Sequence, residues 1–496
     1  MSQFKKAAVL SYVNIILTNV VGLVLTPFII RSFGDSEYGL YSLIGSFVAY
    51  LTLMDLGLNN TIVRFVSKYR AEKNTEGEQS FLGTTMLVYF AISMVLVILG
   101  MFLYFNMESI FGVSLSAIQM DSAKIMFLIL VFNIAITLPG GTFLAICTAY
   151  EEFVFPKVVM IVKYILRAFT VYVILTIGGK SISLVVIDTV FGILVILTTF
   201  YYCVSKLKVK FKFRGINKVL VKQIFAYSVW IFIMGIISKF QWNGGQVILG
   251  MNTNTEVVAV FAIGLMLGGY FGAFAGVINT LLLPKAANMV ASFSTPKELT
   301  NAMIKVGRAN MFISLLILSV FFVLGKEFIQ LWVGNSYKES WGIAMIIMFA
   351  SIIPLSQSFG ISILEIKNKI KYRAIGMFIS MSVAIVVGYY ASKYFGMYGV
   401  IIPIALGMFT STIINNILFV KFFKFDIILF YKESFLYQII FTVIFISLSI
   451  LVKNNFIVDN WFKFLIGVFV FAMLYVLLYA ILLFTKEEKS MLLNKI

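Results

Sequence analysis

The side chains that could do chemistry in this chain are few, and the most telling of them are basic. Lys163 and Arg167 stand four residues apart in an apolar run, so on a helix they project from one face, one turn apart. Counting from a helix start near residue 158 at about 1.5 Å per residue, Arg167 falls roughly 14 Å along its helix. A guanidinium at that depth presents a planar fork of donors matched to phosphate oxygens. Because a charged side chain near a bilayer centre costs about 2.5–3.5 kcal/mol on insertion scales, such a residue is a functional candidate by default. Lys239, in another apolar run, and Arg31, near the end of the first run, complete a set of four candidate substrate-binding cations. Their chemistry is the capture of an anionic group in a cavity. The competing reading has Lys163 reaching back to the surface and Arg167 neutralised by a buried acid such as Asp188.

The acids lie nearer the ends of the apolar runs. Asp55, followed by Gly57 and Asn59-Asn60, and Asp188 are candidates for ion coupling or gating, with Arg64 as a gate partner for Asp55. Glu365 reads better as a helix-end residue, and for Asp55 local capping competes evenly with function. Asn14, Asn19, Asn279, Gln357, Asn415 and Asn416 could meet sugar hydroxyls, although amides inside membranes more often join helices to one another. The chain has no histidine, which removes the commonest general base and metal ligand near neutrality, so any proton coupling must use carboxylates. Cys147 and Cys203 fall at helix ends on one side and read as free, packed thiols. Asp35-Ser36-Glu37 has the acid-x-acid pattern of some membrane glycosyltransferases, but the short gap around it leaves no room for a sugar-binding platform. No Walker loop, zinc motif or nucleophile elbow is present. The chain therefore reads as a non-enzyme that carries neither cofactor nor metal.

The elements that must position these residues are membrane helices. Of the 496 residues 61% are hydrophobic and 12% charged, with a mean hydropathy of +1.01, which excludes a soluble globular protein of this size. With about 20 residues needed per span, helices are expected near 7–30, 38–62, 81–105, 124–148, 158–178 and 182–204. A second set is expected near 224–250, 256–283, 309–325, 341–365, 374–392 and 398–420, followed by 435–452 and 461–484. The fold class is all-α and polytopic, with about fourteen transmembrane helices. Residues 1–204 and 224–421 form two six-helix bundles around a central cavity, joined by a basic linker at 205–223, and residues 422–496 hold an accessory helix pair and a tail. Pro27, Pro139, Pro354 and Pro403 lie in or beside spans and can bend them. No small-residue cleavage site follows the first apolar run, so the first helix is expected to be retained.

The net charge of +18 would suggest nucleic acid in a soluble protein, but its distribution is a topology signal. Most of the Lys and Arg residues fall in alternate gaps between spans, as in Arg64, Lys68, Arg70 and Lys73, in Lys206 to Lys222, and in Lys367, Lys369, Lys371 and Arg373. By the excess of basic residues in cytoplasmic loops, both termini are cytoplasmic. The run from Lys206 to Lys222 would contact anionic headgroups or serve as an ordinary linker. A weak repeat relates Asp35–Gly45, DSEYGLYSLIG, to Asn254–Gly264, NTEVVAVFAIG. Each segment opens an even-numbered helix with a Glu at its start, and such repeats suit alternating-access transporters.

The segment TPFIIRSFGDSEYGLYSLIGSFVAYLTLMDLGLNNTIVRFVSKY, through Pro27, Arg31, Gly34, Glu37, Gly39, Tyr41, Asp55, Gly57 and Arg64, resembles the opening of bacterial polysaccharide (Wzx-type) flippases of the MATE-like MOP transporter superfamily. More loosely, the resemblance extends over the whole chain, including LLLPKAANM around Pro284. It implies two helical bundles that turn an undecaprenyl-pyrophosphate-linked oligosaccharide from the inner to the outer leaflet of a bacterial cytoplasmic membrane. The implied partners are that lipid, the surrounding membrane lipids, a coupling H+ or Na+ and a polysaccharide polymerase. Two alternatives stay open, a multidrug cation/H+ or Na+ antiporter of the same superfamily and a lipid II flippase. The antiporter would present buried carboxylates to its cargo, whereas the deep charges here are basic.

Overall fold

The computed structural model describes residues 3–213, 232–276, 282–292, 294–367, 369–453, 458–485 and 488. Asn279, most of the basic linker, the start of the seventh expected helix and the tail lysines Lys486, Lys489 and Lys495 lie outside the described residues. Every regular element among those described is helical, and the chain divides into two compact units, Met1–Ala259 and Val260–Ile496.

The first unit holds α1 (Gln3–Phe33), α2 (Asp35–Ala49), α3 (Leu58–Ala71), α4 (Thr75–Phe105), the short α5 (Met107–Phe111), α6 (Ala117–Ala149), α7 (Val154–Thr176), α8 (Ser181–Ser205), α9 (232–242), α10 (Gly244–Asn252) and the first turns of α11 (Thr255–Ala275). Its starts are written locally. Asn74 accepts a hydrogen bond from the Gly77 amide at 2.7 Å, and Ser116 with Gln119 forms a reciprocal capping box at the head of α6, each satisfying amides that a helix start leaves open. Between α2 and α3 the chain tightens to a 3-10 turn at Tyr50–Asp55, then passes through two left-handed residues, Leu56 and Gly57. The second expected span is thus broken at its acidic residue. Helix α6 packs on α2, α3, α4 and α8, while α1 lies on α7.

The second unit holds the rest of α11, α12 (Leu282–Ala291), α13 (Pro296–Trp332), α14 (Ser340–Ser356), α15 (Ser358–Ile366), α16 (Ile370–Phe423), α17 (Ile427–Tyr431), α18 (Tyr437–Lys453) and α19 (Trp461–Leu482). Thr295, Pro296 and Glu298 start α13 with a capping box and a first-turn proline. Helix α13 packs on α14, α18 and α19. The aromatic cluster of Phe312, Phe441, Tyr475 and Tyr479 joins α13, α18 and α19, with Tyr475 Oη 3.0 Å from Thr442 Oγ1. Lys453 closes the far end with an ion pair to Glu327 at 2.6 Å.

Eleven described helices are long and apolar enough to cross a membrane, or twelve counting α14–α15, which bend by 54° where Pro354 precedes the break at Gln357. A straight 54-residue helix would be about 80 Å long, more than twice the ~30 Å hydrocarbon core. Helix α16 instead reverses at Gly396, whose φ of 53° and ψ of −132° lie outside helical space, and so supplies two spans. With α9–α10 as the described part of the seventh, the fourteen spans of the sequence reading are accounted for. Phe105 is 73% exposed, Met94 70% and Phe469 67%; in a bilayer such side chains face lipid tails rather than water.

Candidate functional site

Lys163 and Arg167 share the face of α7 that meets α8. The two helices run antiparallel across a tight Ile177–Lys180 connection in which Gly178 has a φ of 92°. This brings Arg167 level with Asp188, seven residues into α8. The guanidinium grips the carboxylate with two bonds, Nη2 donating to Oδ2 at 3.0 Å and Nε donating to Oδ1. The side chains are 21% and 29% exposed, so the pair is neither fully wet nor sealed. Tyr41 from α2 and Tyr164 from α7 lie beside it.

That geometry divides the sequence candidates. Arg167 is neutralised by the acid named in the competing reading. Lys163, half-buried one turn away, makes no hydrogen bond or ion pair among the described residues and feels Asp188 and Arg167 only through space. The cluster therefore carries two cations against one anion, with the spare positive charge on Lys163. It can hold a phosphate or pyrophosphate oxygen at Lys163 while the Arg167 fork retains or exchanges its partner.

The remaining candidates lie apart from this cluster. Lys239 sits half-buried on α9, with its backbone carbonyl accepting from Tyr50 Oη at 3.4 Å, and its ammonium has no hydrogen-bond partner among the described residues. Arg31 is exposed in the last turn of α1, and Arg64 is exposed on α3. Asp55 ends the 3-10 turn, where Oδ1 accepts from Tyr89 Oη at 3.0 Å and from Asn59 Nδ2 at 3.2 Å. It makes no salt bridge among the described residues. It is a carboxylate inside a membrane span held by neutral donors alone, which is the environment of a group that can take up a proton or a small cation.

At one end of the first unit the two repeat segments meet. Ser36 Oγ lies 2.9 Å from Thr255 Oγ1, and Gln119 Nε2 donates to both, at 2.7 and 3.2 Å. A Cβ at Gly39 would collide with the Thr255 carbonyl, so only glycine permits this approach. Glu37 accepts from Ser181 Oγ at the head of α8. The repeat was legible in the sequence; that its two copies touch was not.

Sequence reasoning missed three groupings. Tyr150 Oη donates to Glu78 at 2.6 Å beneath the Arg70 guanidinium, which stacks 3.7 Å from the Tyr150 ring. The Cys147 and Cys203 sulfurs, both buried and free, lie 3.7 Å apart between α6 and α8. Arg373, read as one more loop cation, instead sits in the first turn of α16, bonded to Asn415. The available signal was its type, the one Arg following three Lys.

The family described as polysaccharide biosynthesis protein matches residues 4–290. None of the curated protein sequences is significantly similar to the chain. Among solved structures, the lipid II flippase MurJ in an inward closed conformation is similar with a TM-score of 0.70 at 16% identity, over 96% of this chain and 98% of that one. A multidrug resistance MATE family transporter of the MOP superfamily is similar in its inward-facing conformation, with a TM-score of 0.61 at 13% identity, over 80% of this chain and 96% of that one. An outward-facing MATE structure gives 0.56 at 12% identity, over 84% and 94%. These similarities place the chain in the MurJ and MATE fold.

Proposed function

The chain belongs to the polysaccharide biosynthesis protein family, and from that membership we propose that it is a flippase carrying a polyprenyl-pyrophosphate-linked oligosaccharide from the inner to the outer leaflet of a bacterial cytoplasmic membrane by alternating access. The observation that carries this reading is the surplus cation on α7, where Lys163 stands unpaired beside the neutral Arg167–Asp188 pair. A cation held at membrane depth without a counter-ion is costly, and a pyrophosphate headgroup supplies the missing charge. In this reading Lys163 and Arg167 bind the headgroup, Lys239 adds charge along its path, and Arg31 meets it at the outer end. Residues 1–204 and 224–421 act as the two moving bundles, with both termini in the cytoplasm and the pair α18–α19 as the accessory element.

Asp55 is the coupling group. Its neutral partners Tyr89 and Asn59 leave it free to exchange H+ or Na+ as the cycle turns. Arg64 and the Arg167–Asp188 pair act as gate elements that re-pair when the cargo leaves. MurJ, named for lipid II, shares the fold, so lipid II is the rival lipid cargo; the MATE proteins, named for multidrug resistance, make organic cations the rival outside lipids.

The test is leaflet transfer in proteoliposomes, with a fluorescent undecaprenyl-pyrophosphate oligosaccharide, lipid II and a cationic dye as the three cargoes. Lys163→Met is the informative variant, because replacing Arg167 would also orphan Asp188. Oligosaccharide-lipid transfer that drops about tenfold in Lys163→Met, on the scale of one charge-assisted hydrogen bond, supports the reading. Dye transport without lipid transfer, or lipid transfer untouched by the substitution, overturns it. Transfer that continues at full rate after ion gradients and membrane potential are collapsed removes Asp55 from coupling.

A further inference from the structure

A second basic site lies in the second unit, at the lysine-rich ends of α15, α16 and α17. Arg373 Nε donates to Asn415 Oδ1 at 3.1 Å, and Asn415 Nδ2 donates to Gln357 Oε1 at 3.4 Å. Gln357 Nε2 in turn donates to Asn416 Oδ1 at 2.6 Å and to Tyr431 Oη at 3.3 Å, and Asn416 Nδ2 donates to Tyr431 Oη at 2.9 Å. Gln357 and Asn415 are buried, while Arg373, Asn416 and Tyr431 are half-buried.

The direction of these bonds matters more than their number. Every side-chain oxygen in the cluster already accepts at least once from inside it, while a set of donors makes no bond: the four Nη protons of Arg373, one amide proton each on Asn415 and Asn416, and the Tyr431 hydroxyl proton. Arg373 makes no salt bridge among the described residues; Glu365, which acts on it through space, is exposed. A half-buried guanidinium with spare donors and no carboxylate is a receptor for an anion. Lys369 and Lys421 stand over the Phe422 ring at 5.1 and 5.8 Å and Lys371 over Tyr372 at 5.1 Å, adding a cationic rim with aromatic footing.

A second feature begins where this cluster ends. The two arms of α16 enclose an open apolar groove of about 480 Å³ that runs from Gly376 and Ile414 past Ala384 and Gly407 to Val387 and Pro403. Gly376 is one turn from Arg373, and Ile414 adjoins Asn415. Eleven residues of helix give the groove a length of roughly 16 Å, about one leaflet of a ~30 Å hydrocarbon core.

We propose that Arg373 and the Gln357–Asn415–Asn416–Tyr431 cluster hold the phosphate of an anionic membrane phospholipid, one of whose acyl chains lies in the groove between the arms of α16. The chemistry of the cluster selects a phosphate oxyanion, and the one-leaflet length of the groove selects an ordinary acyl chain over a polyprenyl chain several times longer. The lipid is a bound component of the second unit, separate from the α7 site, so the inference does not depend on which cargo is moved.

The experiment is lipid binding to the full-length protein in neutral detergent, followed by native mass spectrometry. The probes are phosphatidylglycerol, phosphatidylcholine and undecaprenyl pyrophosphate, and the proteins are wild type, Arg373→Gln, Arg373→Lys and Val383→Trp, the last filling the groove from an exposed position. We expect phosphatidylglycerol to bind about tenfold or more tightly than phosphatidylcholine, and Arg373→Gln to remove that preference, on the scale of a hydrogen bond to a charged group. Arg373→Lys should retain part of it, which keeps the test valid if the glutamine variant misfolds. Val383→Trp should weaken both phospholipids alike. Equal binding of the two phospholipids by wild type, or an unchanged preference in both Arg373 variants, overturns the site. Undecaprenyl pyrophosphate displacing phosphatidylglycerol at tenfold lower concentration would make the occupant the cargo and overturn the assignment to a membrane phospholipid.

Discussion

Arg167 and Arg373 are both half-buried guanidiniums on membrane helices, yet their surroundings are opposite. Arg167 has a carboxylate fork gripping it across the α7–α8 contact; Arg373 has a neutral amide network that engages its Nε and leaves its Nη donors unbonded. A paired cation serves first to fix two helices, and the ligand must compete with the partner it already has. An unpaired one is an open demand for an anion. The lesson is that depth and charge type do not identify a binding cation; the count of unsatisfied donors does.

Removing the carboxylate tests whether Arg167 is held as a structural pair. Asp188→Ala should destabilise the first unit by at most about 3–5 kcal/mol, the result of stranding one member of a fully buried ion pair, and by less to the extent that water reaches side chains 21% and 29% exposed. The double variant Arg167→Met, Asp188→Leu should recover most of that loss in thermal unfolding of the detergent-solubilised protein. A double variant as unstable as the single one would show that the pair is not mainly structural. Next in size, Gly39→Val should destabilise by about 1–3 kcal/mol or more through overpacking against Thr255, lowering the yield of monodisperse protein on size exclusion.

Arg373→Gln tests the unpaired guanidinium. In lipid-free detergent its unfolding should stay within about 1 kcal/mol of wild type, because no carboxylate is stranded, while the extra stability conferred by phosphatidylglycerol should fall by about 1.4 kcal/mol, a tenfold loss of affinity. A loss as large as that of Asp188→Ala would erase the distinction between the two arginines.

The smallest effect comes from a third arginine. Arg308 on α13 donates Nε and Nη2 to the Glu488 carboxylate at 2.9 and 3.0 Å, and its Nη groups also reach the Glu433 and Leu483 carbonyls. Burial pushes the Glu488 carboxyl up, but the hydrogen bonds and charge of Arg308, with the Thr485 amide, outweigh it and hold the group below its ordinary value of 4.5. A depressed folded value means the stabilisation is fully present above that ordinary, unfolded value and is lost as pH falls through the lower folded one. Glu488→Gln should therefore cost about 1 kcal/mol or less at neutral pH, and its unfolding curve should merge with that of wild type once the pH has fallen through the lowered folded value. A gap that persists at low pH would show that the tail is held by something other than this charge.

Much of the fold was legible because membrane helices are dictated locally. Each span must be apolar over about 20 residues and satisfy its own backbone, so hydropathy set their number, but it missed the polar first turns that Asn74, Ser116 and Thr295 cap, and placed those helices to begin near 81, 124 and 309 rather than at Thr75, Ala117 and Pro296. The break in α16 was legible as a gap between two spans, although not as a reversal at Gly396. The site was legible only as a set of residue types. Asp188 was named as a partner for Arg167 because it is the acid inside the next apolar run, but α7 and α8 could have rotated so as to leave both residues free. Arg373 was counted with its lysine neighbours because a loop cation and a first-turn cation have the same sequence.

By itself, then, the sequence determined the solvent, the number of crossings, the excess of positive charge and the family, since all four depend on composition and short-range pattern. The tertiary structure alone decided which cations are spent and which are spare. Pairing depends on the rotation of one helix against another, and a turn of some 100° per residue moves a side chain from a partner to empty space without changing a single local rule.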